Sequence, residues 1–154
     1  MIKYCLDKWN KNSEKLEEVL SKDKSLNNRD YRYLVELVVK HILNDDDNGF
    51  GENWDSDNIT IIDDGHYQGT LLFAIPRDTY QPAEYEYLMT YVSYGSCSGC
   101  DALQSIQGWE SNVPPTTEQL KDYMTLCRDL VCNMVRPFKS GWREMPEFDT
   151  VVME

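Results

Sequence analysis

The chain has 154 residues, with 15 basic and 27 acidic side chains and a formal net charge of −12. A chain of this length buries roughly two thirds of its unfolded surface as a single domain, and a hydrophobic content of 41% supplies a core. The acidic excess repels phosphate and anionic lipid, which argues against direct binding to nucleic acid or to a membrane. Solubility is the simpler explanation of this charge, and a partner with a basic surface is the more specific one.

The first residues predict a cytoplasmic protein whose cysteines are reduced. No apolar run approaches the roughly 18 residues that cross a bilayer, and the segment from Met1 to Asp7 lacks the apolar region of a signal peptide. The cytoplasm keeps thiols reduced, and five cysteines, an odd number, argue against a disulfide framework.

Two helices are expected in the first part of the chain. Residues 13–20 place apolar side chains at helical spacing behind a cap at Asn12 or Ser13. Asn27 and Asn28 are expected to open a second helix that runs to about residue 43, and its wide apolar face predicts a place at the centre of the core. The acidic, turn-forming loop that begins at Asn44 ends this second helix.

Three strands follow. Residues 58–62, 67–75 and 85–94 are rich in β-branched and aromatic side chains, and short turn-forming segments separate them. Consecutive strands with short connections form an antiparallel meander, and so small a sheet needs helices on one face. We therefore predict a single α+β domain over residues 1–154, with a three- to four-stranded antiparallel sheet packed against helices.

The last predicted helix begins with a capping box. Thr116 is expected to be the N-cap and Gln119 to reach back to it, and the helical period then continues from residue 120 to 135. Residues 139–154 show no clear period and are interpreted as an extended tail, with an edge strand at 149–153 as the alternative.

Cys97 and Cys100 form a C-x-x-C pair between the third strand and a short helix. Zinc needs two further ligands, and none of the remaining candidates forms a second such pair: Cys5, His41, His66, Cys127 and Cys132. Thioredoxin-like redox catalysts carry a βαβ unit around the motif, and the predicted meander does not provide one, which argues against redox catalysis of that kind. We favour a tight turn with both thiols packed inward. A zinc site that uses Cys97 and Cys100 is the alternative.

A second candidate metal site is acidic. Asn44, Asp46, Asn48, Gly49 and Asp55 fall at positions one, three, five, six and twelve of an EF-hand-like loop. The match departs from the EF-hand pattern because the first ligand is Asn, the last is the shorter Asp, and a strand follows the loop. A solvated acidic turn is therefore favoured over calcium.

The same segment is the candidate surface for a basic partner, because it combines carboxylates with an aromatic side chain. The predicted contact residues are Asp45, Asp46, Asp47, Glu52, Trp54, Asp55 and Asp57.

Two segments of the chain resemble a known family. They are residues 91–104, YVSYGSCSGCDALQ, and residues 115–131, PTTEQLKDYMTLCRDLV. The chain resembles a family of small, uncharacterised proteins encoded by tailed bacteriophages and prophages. The resemblance implies no catalytic residue. It implies a phage accessory protein that binds and blocks a host or defence protein, for example a nucleic-acid-handling enzyme such as a CRISPR nuclease.

Together these observations favour a phage-encoded inhibitor, an anti-CRISPR type of binding protein, over an enzyme. No serine, cysteine or histidine arrangement and no glycine-rich phosphate loop matches a catalytic motif. Two alternatives remain open: a zinc-stabilised interaction module that uses Cys97 and Cys100, and an enzyme acting on a small metabolite.

Overall fold

The computed structural model describes residues 2–49 and 52–136 of the chain. The predicted tail 139–154, with its alternative edge strand, lies outside these residues. The four α-helices of the described part are α1, Ile2–Lys22; α2, Tyr31–Val38; α3, Ala102–Ile106; and α4, Thr117–Cys132. The three strands are β1, Thr60–Asp63; β2, Gly69–Pro76; and β3, Tyr87–Tyr94. Short 3₁₀ turns occupy Leu26–Asn28 and Glu84–Glu86.

Helix α1 is longer than the sequence predicts, and the predicted cap at Asn12 or Ser13 is wrong. Asn12 lies inside the helix with its side chain fully buried. Its amide Nδ2 donates to the Ile42 carbonyl oxygen at 2.9 Å and to Asp45 Oδ2 at 3.1 Å. Asn is a common N-cap, but here its amide satisfies a carbonyl near the end of the neighbouring helix, where intrahelical partners run out.

Helix α2 begins at Tyr31, three residues after the 3₁₀ turn ends at Asn28, because Asp30 is its N-cap and accepts a hydrogen bond from the Tyr33 amide at 3.1 Å. The helix continues as one π-helical turn, Val39–Leu43, and ends before Asn44, as predicted. The apolar face of this region is buried, which confirms its expected place in the core.

The sheet confirms the predicted meander. Its strand order is β1-β2-β3, and both pairings are antiparallel. Phe73 in the central strand lies opposite Ile61 on one side and Thr90 on the other. Beyond the three strands, Val135 forms an isolated bridge to Met89 with two backbone hydrogen bonds of 2.8 Å.

The helices pack on one face of the sheet and make the structure an α+β fold, as predicted. Phe73, Ile75 and Leu88 point into the core and are fully buried. Thr90, also fully buried, donates its hydroxyl to the Leu130 carbonyl of α4 at 2.6 Å. This bond satisfies a polar group inside the core and fixes α4 against β3.

The capping box of α4 is confirmed. Thr116 Oγ1 accepts from the Gln119 amide at 3.1 Å, and Gln119 Oε1 accepts from the Thr116 amide at 3.0 Å. The Gln119 side chain also donates to the Ile106 carbonyl at 3.0 Å, which ties the start of α4 to the end of α3. The helix ends at Cys132, three residues before the predicted position.

Candidate functional site

The net charge of the protein is concentrated in one segment. Residues 41–110 contain 13 of the 27 carboxylates and one of the 15 basic side chains, Arg77. The excess of 12 carboxylates in this segment equals the net charge of the whole chain, and the remaining residues balance to zero. The segment comprises the sheet, its loops and α3, whereas α1, α2 and α4 belong to the neutral part.

Two loops at one end of the sheet bring many of these carboxylates together. The Asp55 amide donates to the Pro76 carbonyl at 2.8 Å, and the Asp78 amide donates to the Asn53 carbonyl at 2.8 Å. The Arg77 amide donates to the Glu86 carbonyl at 2.8 Å, which joins the second loop to the start of β3. We call this region the acidic end; its carboxylates are Asp46, Asp47, Glu52, Asp55, Asp57, Asp78, Glu84 and Glu86.

Most of the predicted contact residues that belong to the acidic end face solvent. Asp46, Asp47, Glu52 and Asp57 are exposed, and Asp55 is partly buried. Asp55 accepts hydrogen bonds from the Asp57 amide at 2.9 Å and from Asn58 Nδ2 at 2.6 Å, so it shapes the loop as well as carrying charge. Their role in binding stays a prediction.

Trp54 does not present a surface to a partner, contrary to its predicted role as an exposed anchor. Its side chain is 5% exposed and belongs to the hydrophobic core. The indole Nε1 donates to the Tyr4 hydroxyl at 3.2 Å, and the Arg77 guanidinium lies 5.2 Å from the ring centroid. The Trp54 amide and carbonyl both pair with the Asn44 side chain, at 2.7 and 2.8 Å. Trp54 therefore stabilises the acidic end by packing in the core, and it is not part of the exposed surface there.

Asp45 is also unavailable to a partner, because its side chain is only 2% exposed. Its Oδ2 accepts from Lys8 Nζ at 2.9 Å, from Asn12 Nδ2 at 3.1 Å and from Lys11 Nζ at 3.3 Å. Burial by itself would raise the pKa of Asp45, but the hydrogen bonds from these three side chains outweigh it and hold the pKa below its ordinary value. The carboxylate connects the loop to α1 and is a structural group.

The exposed aromatic side chains lie in the same charged segment. Among the described residues the exposed large aromatics are Tyr67, Tyr80 and Trp109, which are strongly exposed, and Tyr85, which is 42% exposed. Tyr80 is 91% exposed and lies two residues after Asp78 in the second loop of the acidic end. The one available sequence signal was its position in a turn before Pro82. Tyr80 and Tyr85, rather than Trp54, are the aromatic groups that the acidic end presents.

The EF-hand-like loop engages its own candidate ligands. Asn44 Oδ1 accepts from the Trp54 amide at 2.7 Å, and Asn48 Oδ1 accepts from Lys8 Nζ at 2.5 Å. A lysine ammonium beside the loop adds positive charge where a calcium ion would need oxygen ligands. The loop geometry therefore gives no support to a calcium site there.

The thiols of Cys97 and Cys100 are exposed, so the prediction that they pack inward is wrong. Their Sγ atoms are 2.7 Å apart, and Cys100 Sγ accepts from the Cys97 amide at 3.2 Å. Hydrogen bonds from the Cys97 thiol and from its amide lower the pKa of Cys100. Within residues 2–49 and 52–136, no three His, Cys, Asp or Glu side chains lie close enough to share a metal ion. The zinc hypothesis thus lacks a third ligand in the described part.

An open groove of about 320 Å³ lies between α1 and α4. Trp9, Leu120 and Met124 supply its apolar surface, with Lys121 and Arg128 among the polar residues of its wall. The groove lies in the neutral part of the chain and brings together no recognisable catalytic pair, so it does not favour the hypothesis of an enzyme.

The chain matches no protein-family model, no curated protein and no solved structure. No helix in the described part is long and apolar enough to cross a membrane.

Proposed function

We propose that this protein is a binding protein that inhibits a host or defence protein by covering a basic surface with its acidic end. The observation that carries the proposal is the coincidence of charge and exposed aromatic side chains. The segment that holds the entire net charge also holds the strongly exposed aromatics of the described part. Acidic side chains around aromatic anchors are a composition suited to a basic protein partner.

The two kinds of side chain contribute differently to binding. Exposed carboxylates contribute little individually, about 0.2–1 kcal/mol per ion pair, but together they steer a basic partner and raise the association rate. An exposed tyrosine that becomes buried contributes apolar area with little loss of conformational freedom. We therefore expect the carboxylates to govern the salt dependence of binding, and Tyr80 to govern much of the lifetime of the complex.

The class of partner follows from the same charge pattern. A surface that is rich in carboxylates competes with phosphate for Lys and Arg side chains, so a nucleic-acid-handling protein is the favoured target. The resemblance to proteins of tailed bacteriophages supports a host defence protein, such as a CRISPR-type nuclease, encountered in the bacterial cytoplasm. In this mechanism the acidic end occupies a site that would otherwise bind nucleic acid.

The proposal can be tested with two variants that remove the same number of charges. The acidic-end quartet combines Asp46→Asn, Asp47→Asn, Glu52→Gln and Asp57→Asn, all at exposed positions. The helix quartet, the matched control, combines Glu14→Gln, Glu18→Gln, Glu118→Gln and Asp122→Asn, all exposed on α1 and α4. Both retain the shape of each side chain, and Gln at position 52 keeps an oxygen for the Gly49 amide.

Wild-type protein and the two quartets are used as bait in nuclease-treated host lysate. We expect one stoichiometric partner that the wild type and the helix quartet retain and the acidic-end quartet loses. That partner should bind nucleic acid when free and lose this activity in the complex. Equal retention by both quartets would contradict the electrostatic role of the acidic end, and a complex that still binds nucleic acid would contradict inhibition by occupation.

A further inference from the structure

The turn that holds Cys97 and Cys100 brings two exposed thiols into contact. Their Sγ atoms are 2.7 Å apart, and the turn is closed by a backbone hydrogen bond of 3.1 Å from the Cys100 amide to the Cys97 carbonyl. Two thiolates on one tetrahedral zinc ion lie about 3.8 Å apart, given zinc–sulfur bonds of about 2.3 Å. A disulfide requires about 2.05 Å. The geometry is therefore nearer to closing a bond than to holding zinc.

Both ends of the turn are fixed to the core, which keeps the thiols together. The buried Asp101 carboxylate accepts from the Gly95 amide at 3.0 Å and from the Tyr31 hydroxyl at 2.8 Å. Gln104 Nε2 donates to the Gly95 carbonyl at 3.1 Å. A Cβ atom at position 95 would lie 2.6 Å from Cys100 Sγ, so glycine is required for the turn to close this tightly.

The remaining cysteines lie in different surroundings. Cys5 and Cys127 are buried, and burial raises the pKa of Cys127 to about 12. Cys132 is partly buried. A reagent in solution therefore meets the thiols of Cys97 and Cys100 before the others, because reactivity requires both access and thiolate character.

We propose that Cys97 and Cys100 are a thiol-modification site that forms a reversible intramolecular disulfide by exchange with a low-molecular-weight disulfide such as oxidised glutathione. Cys100 Sγ attacks one sulfur of the small disulfide, which breaks that S–S bond, forms a mixed disulfide and releases one small thiol. Cys97 Sγ then attacks Cys100 Sγ and releases the second small thiol. The protein loses two electrons and two protons, and the two released thiols gain them.

The roles of the two cysteines follow from their contacts. Cys100 Sγ accepts the Cys97 backbone N–H, a hydrogen bond that stabilises a thiolate on Cys100. Cys97 lies next to it and resolves the mixed disulfide. The site does not depend on the acidic end, and the proposal goes beyond the proposed binding function.

The test uses the full chain, reduced and then incubated with oxidised glutathione, followed by alkylation in denaturant and peptide mass spectrometry. We expect the loss of two of the five alkylatable thiols, with one disulfide between Cys97 and Cys100 that dithiothreitol reverses. Cys97→Ser should accumulate one glutathione on Cys100, because the resolving thiol is absent. Cys132→Ser, the control, should close the disulfide at the wild-type rate.

Three results would overturn the proposal. The first is that all five thiols stay alkylatable under conditions that oxidise free dithiothreitol. The second is that wild-type protein stops at a glutathione adduct without closing the ring. The third is that the disulfide forms between two chains, seen as a dimer on a non-reducing gel.

Discussion

Asp45 supplies a buried carboxylate to the contact between α1 and the loop after α2, so replacing Asp45 with Ala should destabilise the protein. Asp45 Oδ2 accepts from Lys8, Asn12 and Lys11, and its side chain is 2% exposed. The Lys8 side chain is itself only 15% exposed. Removal of the carboxylate would leave this largely buried ammonium group with Asn48 Oδ1 and the face of the Tyr4 ring, and with no anionic partner among its described contacts.

The expected cost follows from these contacts. Breaking a fully buried ion pair costs about 3–5 kcal/mol, and a hydrogen bond to a charged group contributes about 1.5–3 kcal/mol. The cluster lies at the edge of the core, where water can reach part of the lysines, so we expect a loss of about 2–3 kcal/mol for Asp45→Ala. For a chain of this length, that corresponds to a decrease in Tm of roughly 4–12 °C.

The assay is urea unfolding followed by circular dichroism, with Asp47→Ala as the matched control. Asp47 also pairs with Lys11, and its replacement removes the same charge, but its side chain is 76% exposed. We expect Asp47→Ala to cost less than about 1 kcal/mol. Equal destabilisation by the two variants would refute the claim that burial makes Asp45 structural.

Three further outcomes are expected. The pKa of Asp45 is lowered in the folded protein, so the contribution of its carboxylate to stability is complete above the ordinary carboxyl pKa of about 3.9 and is lost as the pH falls below that value. The stability difference between wild type and Asp45→Asn should therefore shrink below about pH 4 in acid titrations. A difference that stays constant with pH would contradict this coupling between protonation of Asp45 and stability. Gly95→Ala places a Cβ 2.5 Å from the Cys100 carbonyl oxygen, whereas the Cβ of Gly99→Ala meets only Cys97 Sγ at 3.9 Å. We expect Gly95→Ala to lower the free energy of unfolding by about 1–3 kcal/mol and Gly99→Ala to change it much less. The reverse order in thermal unfolding would show that the turn is placed differently. Thr116→Ala removes the N-cap of α4 and should cost about 1 kcal/mol in the same unfolding assay, and an unchanged Tm would mean that the cap contributes nothing.

The parts of the fold that local sequence determines were predicted well. Three alternating, β-branched segments with short connections specify a meander, and Thr116 with Gln119 specifies the start of α4. These features depend on residues within a few positions of each other. Local pattern is therefore sufficient for the strand order and for this helix boundary.

Three of the errors concern side chains whose surroundings are set by distant residues. The sequence predicts a cap at Asn12 because no local pattern shows that the Ile42 carbonyl accepts its side-chain amide. The acidic neighbours of Trp54 predict an exposed contact residue, but Tyr4 and Arg77 contact its ring within the fold. The sequence predicts that the two thiols of the C-x-x-C turn face inward, but both are exposed. The orientation of the turn depends on Asp101 and its hydrogen bond to Tyr31, 70 residues away, which no local pattern shows.

The acidic end shows the same division. Its charge is visible in the sequence as a near absence of Lys and Arg between residues 41 and 110. Which carboxylates face solvent is a property of the fold: Asp46 and Asp47 do, and Asp45 between α1 and the loop does not. The aromatic group beside them, Tyr80, comes from a loop that joins the first one through backbone hydrogen bonds at Asn53 and Asp78.

The most direct test of the account is the affinity of the purified partner for wild-type protein, the acidic-end quartet and the helix quartet, measured between about 0.1 and about 0.5 M salt. Over this range the Debye length falls from about 10 Å to less than half that distance. The account predicts that wild type and the helix quartet bind alike and weaken steeply with salt. The acidic-end quartet should bind at least about tenfold more weakly at low salt, a loss of about 1.4 kcal/mol, and respond little to added salt. Indistinguishable affinities and salt slopes for the two quartets would contradict the claim that the acidic end binds the partner.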